Sequence, residues 1–238
     1  MLGLLVIIMI SWGMLYLIEK KNLGVLGVLP LHQKSLQFYL GFGLMAAIVL
    51  CYIGIETYWL DLEWQSNIWQ LTDVLAAFWY HLKSALTEDL VFRGAILYVL
   101  IKRIGSRWAI LCSAAVFGVY HWFSYGILQE RLILLAYILL ITGITGWIWA
   151  WSYYKSKSIM LGLGLHVSYN LMMSFFCENQ PYGELLFTQL TQIQLTGWDE
   201  FNYSMFRGLF PSICTFMSLK LIFSSSRFKR FFTSSTCN

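Results

Sequence analysis

Residues 72–103, "TDVLAAFWYHLKSALTEDLVFRGAILYVLIKR", form an apolar run with three formal charges grouped inside it, Glu88, Asp89 and Arg93. Wound as a helix at 1.5 Å per residue, the run would be about 48 Å long, against a bilayer hydrocarbon core of about 30 Å. One simple crossing does not use it up. Its first part, "IWQLTDVLAAFWYHLKSAL" (68–86), is therefore read as a separate tilted or interfacial helix. Thr87 would cap the next one, with Glu88 and Asp89 in a first turn whose dipole favours acids.

The rest of the chain sets the solvent for this run. Of 238 residues, 58% are hydrophobic, 18% aromatic and 12% charged, and the mean hydropathy is +0.64. That composition is of an integral membrane protein, an all-α polytopic bundle forming one membrane domain over 1–238 with a motif-bearing core over 72–177. The five cysteines (51, 112, 177, 214 and 237) lack CxxC or metal-ligand spacing and are read as packing residues. The net charge of +4 resides at the ends of apolar segments, where headgroups and topology account for it, and it points away from nucleic acid.

Seven stretches approach the roughly 20 apolar residues of a crossing: 2–18, 36–55, 72–103, 107–123, 131–152, 158–177 and 206–223. Splitting the third makes eight. The first has no basic region before it and no small-residue cleavage site after it, and is expected to be retained as a membrane helix. Basic residues alternate in the loops. Lys20, Lys21 and Lys34, then Lys102, Arg103 and Arg107, then Lys155 and Lys157, then Arg227, Lys229 and Arg230 fall on one side; Glu56, Asp61 and Glu63, the pair Glu130 and Arg131, and Glu178, Glu184, Asp199 and Glu200 fall on the other. Lys and Arg mark cytoplasmic loops, so the N-terminus is expected outside and the C-terminus in the cytoplasm of a cell-membrane protein. Residues 178–205 are read as an external lid or loop, and the basic, aromatic tail as a stop-transfer flank.

Ionisable groups at mid-bilayer cost about 2.5–3.5 kcal/mol each on insertion scales, so they face the bundle interior and mark function. Counting from the basic belts, Glu88 lies 15 residues before Arg103 and His121 lies 14 after Arg107, or about 22 and 21 Å. His166 and Asn170 lie 9 and 13 residues after Lys157, or about 14 and 20 Å. Three helices thus bring a carboxylate, two imidazoles and an amide to overlapping depths. Asp89 and Arg93, four apart with the acid first, are in the favoured order for an ion pair, which leaves Glu88 on a neighbouring face for other work. Asn170, four after His166, can bond the imidazole or present its NH2 to the same ligand. Phe117, a turn before His121, packs on that ring or walls a cavity, while Gly162 and Gly164 admit a close neighbouring backbone. His81, with Lys83 nearby, reads as interfacial, and Trp147, Trp149, Trp151, Tyr153 and Tyr154 read as an interfacial belt.

Such a set supports hydrolysis. Glu88 in a dry pocket can act as general base on a water that His121 shares, with His166 and Asn170 stabilising the oxyanion on the scissile carbonyl. Glu88, His121 and His166 are also acceptable ligands for a divalent metal such as zinc, with water in the fourth position, although HExxH is absent.

The order and spacing of these residues resemble a known family. "EDLVFRG" resembles the EExxxR motif, "FGVYH" the FxxxH motif and "HVSYN" the HxxxN motif of the CPBP family, the CAAX prenyl-protease and bacteriocin-processing intramembrane proteases, also called the ABI family. The resemblance implies that Glu88 activates the water, that Arg93, His121 and His166 are the motif arginine and histidines, and that Asn170 helps form the oxyanion site. Asp89 departs from the family's usual second Glu. It is one methylene shorter, and fold and catalysis are expected to survive the change; what the change leaves open is the second carboxylate's reach.

The function expected is an intramembrane endopeptidase acting on a membrane-associated peptide or protein. A non-catalytic immunity or scaffold protein that binds a peptide in the same cavity is the alternative. A proton-coupled carrier is disfavoured, because no duplicated half and no paired broken helices are visible.

Overall fold

The computed structural model describes residues 2–225, so the basic tail, with Arg227, Lys229, Arg230 and Cys237, lies outside the described residues. The described chain contains eight α-helices: α1 (Leu2–Glu19), α2 (Leu31–Leu60), α3 (Leu71–Phe92), α4 (Ala95–Ile104), α5 (Ser106–Ser124), α6 (Leu132–Ser156), α7 (Ile159–Phe176) and α8 (Gly197–Ser224). A short 3-10 turn, Leu23–Leu26, joins the first two. Two three-residue strands, β1 (Trp64–Ser66) and β2 (Phe187–Gln189), pair antiparallel with Gln65 opposite Thr188.

Five helices, α1, α2, α6, α7 and α8, are long and apolar enough to cross a bilayer. The chain is an integral membrane protein. Helices α3 and α5, with 22 and 19 residues, have the length, but they carry the ionisable motif residues that lower their hydropathy. The ten residues of α4 reach only about 15 Å and cannot cross alone.

The run 72–103 does divide, though not at Thr87. Thr87 sits inside α3, its hydroxyl donating to the Lys83 carbonyl four residues back at 2.8 Å. The break falls at Arg93–Gly94, and the start of α3 is fixed instead by Asp73, whose carboxylate accepts from the Gln70 N–H at 2.9 Å.

Three boundaries move the predicted loops. Helix α2 begins at Leu31 and ends at Leu60, which puts Lys34 and Glu56 inside it, both buried. Helix α8 begins at Gly197, so its first turn takes up Asp199 and Glu200. The connection 178–196 contributes β2 to the ribbon with β1, and Phe187 stacks on Phe176 at the end of α7.

Helix α7 is central: 72% of its apolar window is buried, against 11% for α1. Glycine makes its tightest contact. A Cβ on Gly164 would fall 2.1 Å from the Phe38 carbonyl, and one on Gly41 would fall 2.3 Å from that of Leu161, so α2 and α7 meet backbone to backbone. Gly162 has ordinary space, 3.4 Å from Ser152 Oγ, and is not required by this contact. Around the pair, Val49, Tyr52, Phe117, Trp149, Leu161 and Leu165 form one continuous buried cluster.

Candidate active site

The end of α3 is shaped by its last glycine. An added Cβ at Gly94 would lie 2.2 Å from the Leu90 carbonyl, so only glycine permits the chain to leave α3 and restart as α4 at this angle. Arg93 is thereby the residue that ends α3, its N–H still bonded to the Asp89 carbonyl. Its side chain turns inward: Nη1 donates to Asp89 Oδ1 at 3.0 Å, and both residues are buried. Rings cover the remainder of the guanidinium, with the Phe117 centroid 3.8 Å and the Trp149 centroid 5.1 Å away. Breaking a buried pair of this kind costs about 3–5 kcal/mol, and a desolvated cation–π contact contributes about 2. The ion pair dominates the order here.

Asp89 serves a second partner. Its Oδ1 is 3.3 Å from His166 Nδ1 on α7, so the shorter acid reaches both the arginine and the imidazole. An ionised carboxylate only accepts, which places a proton on Nδ1 of His166. The opposite nitrogen, Nε2, lies 3.7 Å from Glu88 Oε2. That separation is beyond a direct hydrogen bond. Trp149 fixes the ring plane, its own ring 4.2 Å from the imidazole at 31°. The convergence of α3 and α7 expected from depth is therefore observed as contact, and Glu88 is left outside the Asp89–Arg93 pair.

His121 comes from α5. Its Nδ1 is 2.8 Å from the Phe117 carbonyl, which can only accept, so Nδ1 holds the hydrogen and Nε2 keeps its lone pair. Phe117 packs on the same imidazole with centroids 4.4 Å apart. His121, His166 and Asn170 all line one cavity of about 230 Å³ between α5, α6, α7 and α8. Among the described residues no hydrogen bond joins Asn170 to His166, so the amide remains available to a ligand. Glu88 does not line this cavity and meets it through His166.

Several residues differ from their sequence reading. Trp149 and Tyr153 are buried, so these two are packing and site wall and not part of an interfacial belt, while Trp147 and Trp151 are half-buried and stack on each other. His81 is buried instead of interfacial, its ring edge-on to that of Tyr80. Glu56, read as a loop acid, accepts from the Tyr203 hydroxyl inside the bundle. Arg207 and Tyr169, on α8 and α7, line the cavity and carry no motif signal in the sequence. As for a metal, among the described residues no three His, Cys, Asp or Glu side chains are grouped as ligands.

Residues 69–172 match the family model described as Rce1-like, type II CAAX prenyl endopeptidase. Over this segment, which is less than half of the chain, the protein is similar to the CPBP/CAAX family. The matched segment runs from just before α3 to within α7, so it includes Glu88, Asp89, Arg93, His121, His166 and Asn170. The family that this model describes is a protease family. Searches of the curated proteins and of the solved structures returned no match.

Proposed function

We propose that this chain is an intramembrane endopeptidase that hydrolyses a peptide bond of a membrane-associated peptide or protein. The observation that carries the reading is the 3.7 Å gap between Glu88 Oε2 and His166 Nε2, with Asp89 holding the far side of the same imidazole. Both facing atoms are acceptors. A water between them donates one hydrogen to each, which aligns its lone pairs for attack.

In this reading Glu88, assisted by His166, takes the proton as the water oxygen adds to the scissile carbonyl. The side-chain amide of Asn170 donates to the oxyanion, and Glu88 returns its proton to the leaving amine. His121, an acceptor at Nε2, holds the scissile N–H. Sequence spacing paired His121 with Glu88 on the water; the contact with Glu88 favours His166 for that task. No step is routed through a metal. Lys and Arg placement supports an external N-terminus, a cytoplasmic C-terminus and residence in the cell membrane.

The test is cleavage of a fluorogenic lipidated peptide by protein reconstituted in liposomes. E88Q and H166A should each lower kcat by at least about 10²-fold, and variants cleaving at the parent rate would overturn the proposal. A cellular phenotype that survives E88Q but fails when the cavity is blocked would assign the chain to non-catalytic peptide binding instead.

A further inference from the structure

The basic residues at the helix ends are not equivalent. Lys102 and Arg103, in the last turn of α4, both reach Glu19 at the end of α1, at 2.7 and 3.4 Å. Arg107 in the first turn of α5, and Lys155 and Lys157 at the end of α6, have no such acid. Among the described residues no carboxylate lies within the 4.0 Å of an ion pair with any of these three. The two lysines have aromatic neighbours instead. Lys157 Nζ is 4.2 Å from the Tyr154 centroid, and Lys155 Nζ is 5.9 Å from those of Tyr154 and Trp151. Such contacts hold a cation in place without neutralising it.

Arg107, Lys155 and Tyr154 stand at the mouth of a groove of about 490 Å³ between α5 and α6, separate from the cavity of the histidines. Helix α5 contributes Arg107, Ile110 and Leu111, spaced i, i+3, i+4, and α6 contributes Trp147, Trp151 and Lys155, spaced four apart. Each helix therefore presents one stripe. Because α5 begins where α6 ends, both stripes are charged at the same end and apolar further in. From Lys155 back to Trp147 is eight residues, about 12 Å along the helix. The Trp147 and Trp151 rings stack at 6° to form the far wall, and Leu111 is 48% exposed on the outside of the bundle.

An occupant of this groove needs negative charge at one end and hydrocarbon at the other. Inorganic phosphate would answer only to the mouth, and an acidic peptide would bring backbone N–H groups into the apolar half. A zwitterionic lipid would bring its choline against cations, and the rings that could receive a choline already face Lys155 and Lys157. We infer that the groove binds an anionic phospholipid. Its phosphodiester is held by Arg107 and Lys155, with Lys157 adding to the local field, and its acyl chain lies along Ile110, Leu111, Trp147 and Trp151. The inference does not depend on the peptide-cleaving reading.

The experiment is thermal unfolding of the full-length protein in detergent micelles titrated with phosphatidylglycerol or with phosphatidylcholine of identical acyl chains. A lipid that binds the folded state raises the midpoint according to its concentration over Kd, so each titration yields an affinity. The parent should bind phosphatidylglycerol on the order of ten- to a hundredfold tighter than phosphatidylcholine. R107Q/K155Q should lose this preference and R107K/K155R should keep it. K102Q/R103Q also removes two basic residues and should keep it, because Glu19 already engages those two. Equal affinities in the parent would overturn the inference, and equal losses in the two glutamine pairs would do so by reducing the effect to diffuse attraction. L111W fills the apolar half without touching a charge and should weaken phosphatidylglycerol binding severalfold; an undiminished affinity would remove the acyl chain from the groove and overturn the site. Millimolar glycerol phosphate should leave the lipid bound, and displacement would assign the cations to soluble phosphate instead. All the substituted side chains are exposed, and the midpoint in phosphatidylcholine reports separately that each variant is folded.

Discussion

His166 Nδ1 lies 3.3 Å from Asp89 Oδ1, so a residue of α7 is held by the acid that also binds Arg93 at the end of α3. The consequence is positional: the imidazole's second nitrogen is aimed at Glu88 by a partner fixed elsewhere. Asp89 is therefore a positioning residue, and substitutions there should separate stability from chemistry.

D89A removes one partner from a buried ion pair and leaves Arg93 uncompensated. A loss of about 3–5 kcal/mol is expected, read as a lower midpoint in thermal unfolding of the detergent-solubilised protein. D89E, which restores the family's usual residue, should retain both stability and cleavage. A D89A protein as stable as the parent would show that the pair contributes nothing to the fold.

Asn170 lines the cavity without a bond to His166, which suits an oxyanion donor. N170A is expected to lower kcat about 10²–10³-fold with KM little changed. A change confined to KM would instead make Asn170 a binding residue.

Gly94 is a sharper test of the fold. An alanine Cβ would meet the Leu90 carbonyl at 2.2 Å, a contact that backbone movement alone can relieve. G94A should destabilise by about 1–3 kcal/mol and displace Arg93 from Phe117. Alanine at Gly105, whose Cβ direction is open but whose φ is +80°, supplies the comparison of backbone strain without collision.

Replacing Phe117 with leucine keeps bulk but removes the ring that faces both Arg93 at 3.8 Å and His121 at 4.4 Å. The expected cost is about 2 kcal/mol, with a further loss of activity as His121 gains freedom. An unchanged unfolding midpoint would mean that Trp149 alone suffices for Arg93.

Because no three candidate ligands are grouped among the described residues, cleavage is expected to persist after stringent chelation, checked by elemental analysis of the same sample. Activity lost on chelation and restored by zinc would require a metal-based mechanism in its place.

The chain's own composition determined the membrane class, because a polypeptide this apolar has no stable alternative solvent. Position in the sequence also brought out Glu88, Asp89, Arg93, His121, His166 and Asn170, since charges inside apolar helices are costly and conspicuous. The i,i+4 spacing of Asp89 and Arg93 was enough to pair them, as local helical geometry alone brings their side chains together. Tertiary structure decided the rest. Thr87 has the chemistry of a cap, yet its hydroxyl is satisfied by the Lys83 carbonyl, and the break belongs to Gly94, which alone tolerates the Leu90 carbonyl beside it. Helical periodicity gives Trp149, His81 and Glu56 a face without naming the neighbour that covers it, so their burial was invisible until α3, α7 and α8 packed around them. Arg207 shares no motif with the histidines. Only the folding of α8 across the bundle puts its charge into their cavity.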